Sequence, residues 1–423
     1  MRRCRPGIAI LAAALIGYCC VVVAQQKRGQ ANQRVVLPKS SEELPSDVGV
    51  RAHTHLLVLS PGFTKAAEKG TPAEAPPFPG YAFETPASLA CLYHLVPAVR
   101  GCNPNVVTLN PTGGAKAIAI VDAFDDPNAI SDLATFSQQF GLPAANLTVV
   151  YASGSKPGVD PTGGWELEES TDIEWAHAMA PNAQIFLVEA ASNSFFDLFT
   201  AEIDAGSLVA GAGGGEVSNS WGGGEFPEEG FFDDIFTAPG VVYLASTGDQ
   251  PGTEYPSVSP NVVAIGGTST NRSPYTGDFF YEGTWNAGAG GPSLFEPRPS
   301  YQDVIAKIAG SSRSVPDASL DSNPFTGVWV YDSNPYQGVS GFPWFIVGGT
   351  SVSVQSWTGI INAAGRFSAS SAAELSLMYE HLHDPHAFND ITRDNCGPYG
   401  GFLAEPGYDF CTGLGSVFGY EGK

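Results

Sequence analysis

The sequence has little positive charge. Its 423 residues carry 20 Lys and Arg against 43 Asp and Glu, a formal net charge of −23. A protein that neutralises phosphates needs a basic footprint, which excludes nucleic acid as a main partner and argues against adhesion to an anionic membrane surface. Charge of either sign is scarce: 15% of residues are charged and 43% are hydrophobic, the reverse of a disordered chain. After the first two dozen residues no apolar run approaches membrane-spanning length. Glycine and proline are plentiful, at 50 and 33 residues, a density that helical bundles and coiled coils do not carry. A loop-rich α/β or all-β chain with a large core is expected.

The first residues stand apart. Arg2, Arg3 and Arg5 precede an apolar stretch from Gly7 to Ala24, which ends in small residues before Gln25. This pattern reads as a secretory signal peptide over 1–24, with a retained anchor as the other reading. Residues 25–80 read as a short propeptide or linker, and 81–423 as one folded domain. Four of the seven cysteines lie outside the leader: Cys91, Cys102, Cys396 and Cys411. An even set in an exported chain suggests disulfides, and local pairing is the simplest of three connectivities. Secretion to the extracellular space, or to a periplasm, follows, as does a monomer without stable membrane association once the leader is removed.

Short apolar runs alternate with helical patterns. Ala117–Val121, Leu147–Tyr151, Gln184–Glu189, Val217–Ser220, Val241–Ala245, Val262–Ile265 and Phe345–Val347 read as strands, while Trp165–Ala180 and Ser194–Ile203 read as helices. The alternation predicts a mostly parallel sheet covered by helices on both faces. Residues 271–344, rich in Gly, Pro, Ser and Asn, read as loops around a site.

Ligands of such sheets bind beyond the carboxyl ends of the strands. After Phe345–Val347 comes Gly348-Gly349-Thr350-Ser351, then a helical pattern to Ala364. A serine entering a helix from a glycine turn suits a nucleophile beside an oxyanion donor; a plain N-cap is the bland alternative. The same tetrapeptide at 266–269 is followed by Asn271, Ser273 and Pro274, so Ser269 reads as a loop residue. For a base, His177 would complete a Ser–His–Asp set with Asp122. The same helix also carries Glu168 and Asp172, about 40° apart and on one face, with His177 about 140° beyond Asp172. An acidic solvated face is the alternative for this pair. Asp249 follows the strand 241–245.

These motifs resemble the sedolisins, the serine-carboxyl peptidases. The resemblance spans about residues 83–423. It rests on Glu168-x-x-x-Asp172 ending in Ala178-Met179-Ala180-Pro181, and on Ser218-Asn219-Ser220-Trp221-Gly222-Gly223. It continues with Gly248-Asp249 before Tyr255-Pro256, with Gly349-Thr350-Ser351, and with Asn389-Asp390-Ile391-Thr392 before Gly407-Tyr408-Asp409. It implies a subtilisin-like α/β fold and peptidase action on polypeptides at acid pH. Ser351 would be the nucleophile, Glu168 its base, Asp172 the partner that orients Glu168, and Asp249, protonated, the oxyanion stabiliser. Asp122 would lie behind the acidic pair, and Trp221 near the substrate cleft. One structural calcium is implied, held by Asp390 and Asp409 with backbone carbonyls of Ile391, Glu405 and Gly407. The chain departs from the family pattern at Gln355, where proline is usual, and residues 25–80 are fewer than the family's large prodomain.

Elementary acid–base chemistry agrees with a carboxylate base. Near pH 4 an ordinary histidine is neutral about 0.3% of the time, whereas an ordinary glutamate is about one-third ionised. Two competing readings are a Ser–His–Asp hydrolase using His177 and a catalytically inactive secreted binding protein of the same fold.

Overall fold

A computed structural model describes residues 34–60, 75–77, 81–337 and 343–423. The leader read at 1–24 lies outside the described residues. The strands in chain order are β1 Arg34–Val36, β2 His53–Thr54, β3 Leu57–Ser60, β4 Ala117–Ala123, β5 Asn146–Tyr151, β6 Gln184–Ala190, β7 Gly215–Asn219, β8 Trp221–Gly224, β9 Val241–Ser246, β10 Glu254–Tyr255 and β11 Val263–Arg272. They continue with β12 Phe279–Thr284, β13 Gly291–Pro297, β14 Ser312–Val315, β15 Ala318–Asp321, β16 Val328–Tyr331, β17 Trp344–Gly348, β18 Phe388–Asn389, β19 Asn395–Cys396, β20 Phe402–Leu403 and β21 Ser416–Val417. The α-helices are α1 Pro86–Leu92, α2 Ala129–Phe140, α3 Gly164–Met179, α4 Phe195–Gly211, α5 Ala306–Ala309, α6 Thr350–Ala364 and α7 Ser371–Glu380.

The main sheet has the spatial order β18-β21-β15-β11-β9-β7-β4-β6-β5, with β12 beside β11. Every pair from β5 to β21 is parallel, while β18 and β12 join antiparallel. Its strands read as continuous apolar runs because both faces are covered. In β9, Val242 and Leu244 pack into the core that holds Trp175 and Trp357 of α3 and α6. The alternate residues Val241, Tyr243 and Ala245 pack with Phe195, Leu198 and Phe199 of α4 on the other face. Helices α3 and α6 lie against each other at Gly359, where a Cβ would come within 2.6 Å of the Met179 Cβ. That close approach brings residues 168–172 near the start of α6. Among the described residues no helix is long and apolar enough to cross a membrane.

Several sequence expectations change. Residues 271–344 are not all loop, because they contain β12–β16 and α5. Strand β11 runs on through Arg272, so Ser269 sits in a strand opposite Gly283 of β12 and not in a turn. The strand before the Ser351 helix, β17, lies outside the parallel sheet. It pairs antiparallel with β16 and β3 in a separate sheet of order β1-β3-β17-β16. Residues 34–60, within the stretch read as propeptide or linker, therefore pack into the body of the domain. The disulfides are Cys91–Cys102 and Cys396–Cys411, the local pairing, each with a Cα–Cα separation of 5.5 Å.

Candidate active site

Helix α3 starts where the Asp160 carboxylate accepts the N–H groups of Gly164 (3.0 Å) and Trp165 (3.2 Å). From there to Met179 every residue is buried, including Glu166, Glu168, Glu169, Asp172 and Glu174. The acidic face is thus internal and not solvated. Asp172 is held by two donors: the Ser220 hydroxyl (2.9 Å to Oδ1) and the Gln355 amide (2.6 Å to Oδ2), which also donates to Ser220 (2.9 Å). Gln355, the departure from the family pattern, is therefore a hydrogen-bond partner of the acidic pair. Burial, then the charge of Glu168, pushes Asp172 well above the usual carboxylate range, and the Ser220 and Gln355 donors oppose the rise.

Glu168 is wholly buried, and neither of its oxygens has a hydrogen bond of good geometry among the described residues. Burial and then repulsion from Asp122 push it well up; the neighbouring Ser351 hydroxyl opposes this and Asp249 adds to it. Asp122, at the carboxyl end of β4, is buried with both oxygens unpartnered, and is raised by burial and then by Asp172 and Glu189.

Ser351 lies in the first turn of α6. Gly349 precedes it at φ +114°, a backbone that side chains rarely adopt, and a Cβ there would lie 2.1 Å from the His55 carbonyl oxygen and 2.6 Å from Asp249 Oδ2. Those two oxygens share one niche at the amino end of the helix. Asp249 Oδ1 accepts the Thr350 N–H (2.7 Å) and hydroxyl (3.0 Å), and Oδ2 is buried without a partner. Burial raises Asp249 to about 6 against the opposing pull of His55 and Thr350. The Ser351 N–H points at the His55 carbonyl (3.2 Å), and the Ser351 hydroxyl donates to the same oxygen at 2.7 Å. The helix amino terminus and the serine hydroxyl thus meet on one carbonyl oxygen, with Asp249 Oδ2 in the same niche.

His177 is elsewhere. Its ring bonds the Pro143 carbonyl at 3.0 Å, and burial lowers its pKa. Trp221 is buried with its indole N–H on the Val121 carbonyl (2.9 Å), and its backbone pairs with Thr54. Ser220, Glu254 and His55 are not singled out by the sequence; Ser220 and Glu254 adjoin Trp221 and Tyr255-Pro256, and His55 carries no local signal.

Near the carboxyl end, the Gly407 N–H donates to Asp390 (3.0 Å), and the N–H groups of Glu405 (3.1 Å), Cys411 (2.8 Å) and Thr412 (2.9 Å) donate to Asp409. Among the described residues, the carbonyls of Ile391, Glu405 and Gly407 accept no backbone hydrogen bond. The two carboxylates and these carbonyls lie on adjoining loops and are oxygen donors of the chemical type that calcium takes. Burial raises Asp409 to about 6, a cost that a bound cation would remove.

The parallel sheet and the serine at a helix amino terminus define a subtilisin-like α/β fold. No family model matches the chain. It is 29% identical over 349 residues to kumamolisin from Bacillus sp. (strain MN-32), a stretch that is 73% of this chain and 59% of that protein. It is 25% identical over 350 residues to sedolisin from Pseudomonas sp. (strain 101), covering 73% of this chain and 57% of that protein. The chain therefore spans less than three-fifths of the length of these curated relatives. The structure of Pseudomonas sedolisin, a serine-carboxyl proteinase complexed with pseudo-iodotyrostatin, superposes with a TM-score of 0.65 at 23% identity, covering 79% of this chain and 95% of that one. The chain is thus similar in sequence to kumamolisin and sedolisin and shares the fold of sedolisin.

Proposed function

We propose that this chain is a secreted, acid-acting serine-carboxyl endopeptidase. The observation that carries the reading is the convergence of Ser351, Glu168 and Asp249 in one buried niche, without a histidine base. Ser351 attacks a substrate carbonyl and passes its proton to Glu168, which shares one proton and one negative charge with Asp172. Ser220 and Gln355 hold the Asp172 end of that pair, and Asp122 behind it keeps the proton affinity high. Asp249 Oδ2, protonated, and the Ser351 N–H stabilise the oxyanion. Glu168 then gives its proton to the departing amine, leaving an acyl-enzyme for water to resolve.

This division of labour fixes the pH response. Activity needs the acidic pair singly ionised and Asp249 protonated, so it falls as pH rises through about 6, where Asp249 loses its proton. Digestion of a denatured protein from pH 2 to 8 tests the reading. Wild type should work only on the acid side, Ser351→Ala should be inactive, and Ser269→Ala, which alters a strand residue, should retain activity. An optimum above neutrality would overturn it.

Calcium at Asp390 and Asp409 would clamp the loops closed by Cys396–Cys411 and add stability as RT ln(1 + [L]/Kd). Chelator should lower the melting temperature, and Asp409→Ala should abolish that response. Identical melting with and without chelator counts against the ion.

A further inference from the structure

The small sheet beside the main one holds a side-chain cluster that the proposed reaction does not use. Its order is β10-β8-β2, with His53 opposite Gly222 and Glu254 opposite Gly224. Strands β2 and β10 therefore flank β8, and the side chains of His53, His55 and Glu254 converge across its glycines. All three residues are buried, at 6%, 1% and 7% exposure. One nitrogen of each ring and one carboxylate oxygen lie within 4.8 Å of one another. His53 Nε2 stands 3.3 Å, and His55 Nε2 2.8 Å, from the same Glu254 Oε2. A Cβ on Gly222 would lie 2.9 Å from that oxygen and 3.1 Å from His55 Nε2, so the glycine keeps the space beside them open.

The outer ring nitrogens are already engaged. His53 Nδ1 faces the Thr54 carbonyl at 3.3 Å, which can only accept, so Nδ1 carries the ring proton. His55 Nδ1 lies 2.6 Å from Ser246 Oγ, whose own proton goes to the Asn219 carbonyl at 3.3 Å, so this Nδ1 is a donor as well. In neutral rings both Nε2 atoms then turn a lone pair toward a carboxylate oxygen, and His53 Nε2 has no hydrogen bond of good geometry. Lone pairs facing one another in a buried niche need positive charge between them. Two further protons would supply it, and so would one metal ion. An imidazole whose outer N–H is spent on a carbonyl or hydroxyl is oriented as metal-ligating histidines are. Two nitrogens and one carboxylate suit zinc and not calcium. Ligand atoms around a tetrahedral zinc stand about 3.3 Å apart, so the His53 contact fits as it is and the His55 contact has to open by about 0.5 Å.

We propose that His53, His55 and Glu254 bind one zinc ion, and that the ion staples residues 53–55 to β10 across β8. The His55 carbonyl accepts the N–H and hydroxyl of Ser351, so the ion also fixes what stands over that serine. The site differs from the oxygen set of Asp390 and Asp409 in its residues and in its donor type. It stands without the peptidase reading, because its test reads binding and not turnover.

The full chain carrying Ser351→Ala, which cannot digest itself, is stripped of metal and held at pH 7.5 in excess calcium. Zinc titrated by calorimetry should fill one site, and cobalt in its place should give the visible bands of tetrahedral coordination. His53→Ala and Glu254→Gln should each weaken zinc by about tenfold or more. His381→Ala, in the separate pair with Asp384, should leave the affinity unchanged. Hydrogen exchange at the His55 N–H should slow by about tenfold or more when zinc is added, and the slowing should be lost in Glu254→Gln. Melting without metal checks that each variant folds, and the cobalt spectrum needs no change at the ligands. Absence of the tetrahedral bands, equal zinc affinity in both ligand variants, or loss of binding in His381→Ala overturns the site. Exchange that zinc does not slow overturns the staple.

Discussion

Helix α3 and the Arg313–Asp317 pair both take acidic groups out of water, by different means. Asp317 is buried with a two-pronged guanidinium partner (Nη1 to Oδ1 2.7 Å, Nη2 to Oδ2 2.6 Å), the Ala264 N–H at 2.8 Å and the Tyr379 hydroxyl at 2.8 Å. A cation and two further donors meet its two oxygens. Glu168, Glu169 and Asp172 have no such cation, and burial first, neighbouring carboxylates second, push all three well up. There burial favours holding protons over holding charge, with at most one charge shared between Glu168 and Asp172. Pairing serves where a group only has to hold the fold. An unpaired, proton-bearing acid remains free to exchange its proton during a reaction.

The largest effect should come from removing that exchange. Glu168→Gln replaces an acid that is mostly neutral in the fold by a neutral amide of the same shape. It should lower kcat/KM by about 10² to 10⁴, on the order of 3–5 kcal/mol, with little change in melting temperature at pH 4. His177→Ala should retain most activity. The reverse outcome would restore a histidine base.

Asp317→Asn should do the opposite and strand a buried guanidinium. A loss of about 3–5 kcal/mol of stability is expected, read by denaturant unfolding. A small loss would erase the distinction between the two regions.

The comparison also sets the slope of stability against pH. Burial raises Glu166 to about 8, Asp126 to about 6 and Glu189 to about 9. Between about pH 4 and those values the unfolded chain has released protons that the folded chain keeps, so the unfolded state binds fewer and stability falls as pH rises. The melting temperature should be higher at pH 4 than at pH 8. A profile that climbs toward neutrality would show that the buried acids are ionised.

The smallest effect is the most local. Gln355→Leu removes the amide from Asp172 and leaves the anionic form of the pair less supported. The rising limb of the activity–pH profile should move up by about one unit, which is about tenfold in rate at a fixed acid pH. A uniform loss at every pH would mean that Gln355 only packs.

Much of this was legible in the sequence. Ala117–Val121 and Val241–Ala245 gave strands because continuous apolar runs bounded by turns have few other solutions, and the helix read from Val352 begins two residues earlier, at Thr350. The spacing of Glu168 and Asp172 put them on one face, but not which face, since five acids on one helix look solvated until the surrounding core is known. Strands β12–β16 hid in a Gly- and Pro-rich stretch. The two-residue β2 has no period to read. Nothing local ties Gln355 to Asp172, which lie 183 positions apart and meet only because α3 and α6 touch.

Strand β8 carries three successive glycines, Gly222, Gly223 and Gly224, and where a Cβ would project from the last two, the structure places Arg51, Phe195, Glu43 and Val48. A rail without side chains grips whatever lies on it through the main chain. Such a cleft selects for conformation before sequence: a polypeptide must be able to straighten over several residues and surrender its own hydrogen bonds. Compact proteins are shielded until acid loosens them. On the proposed function, the condition that protonates Asp249 is thus also the condition that would make substrates available.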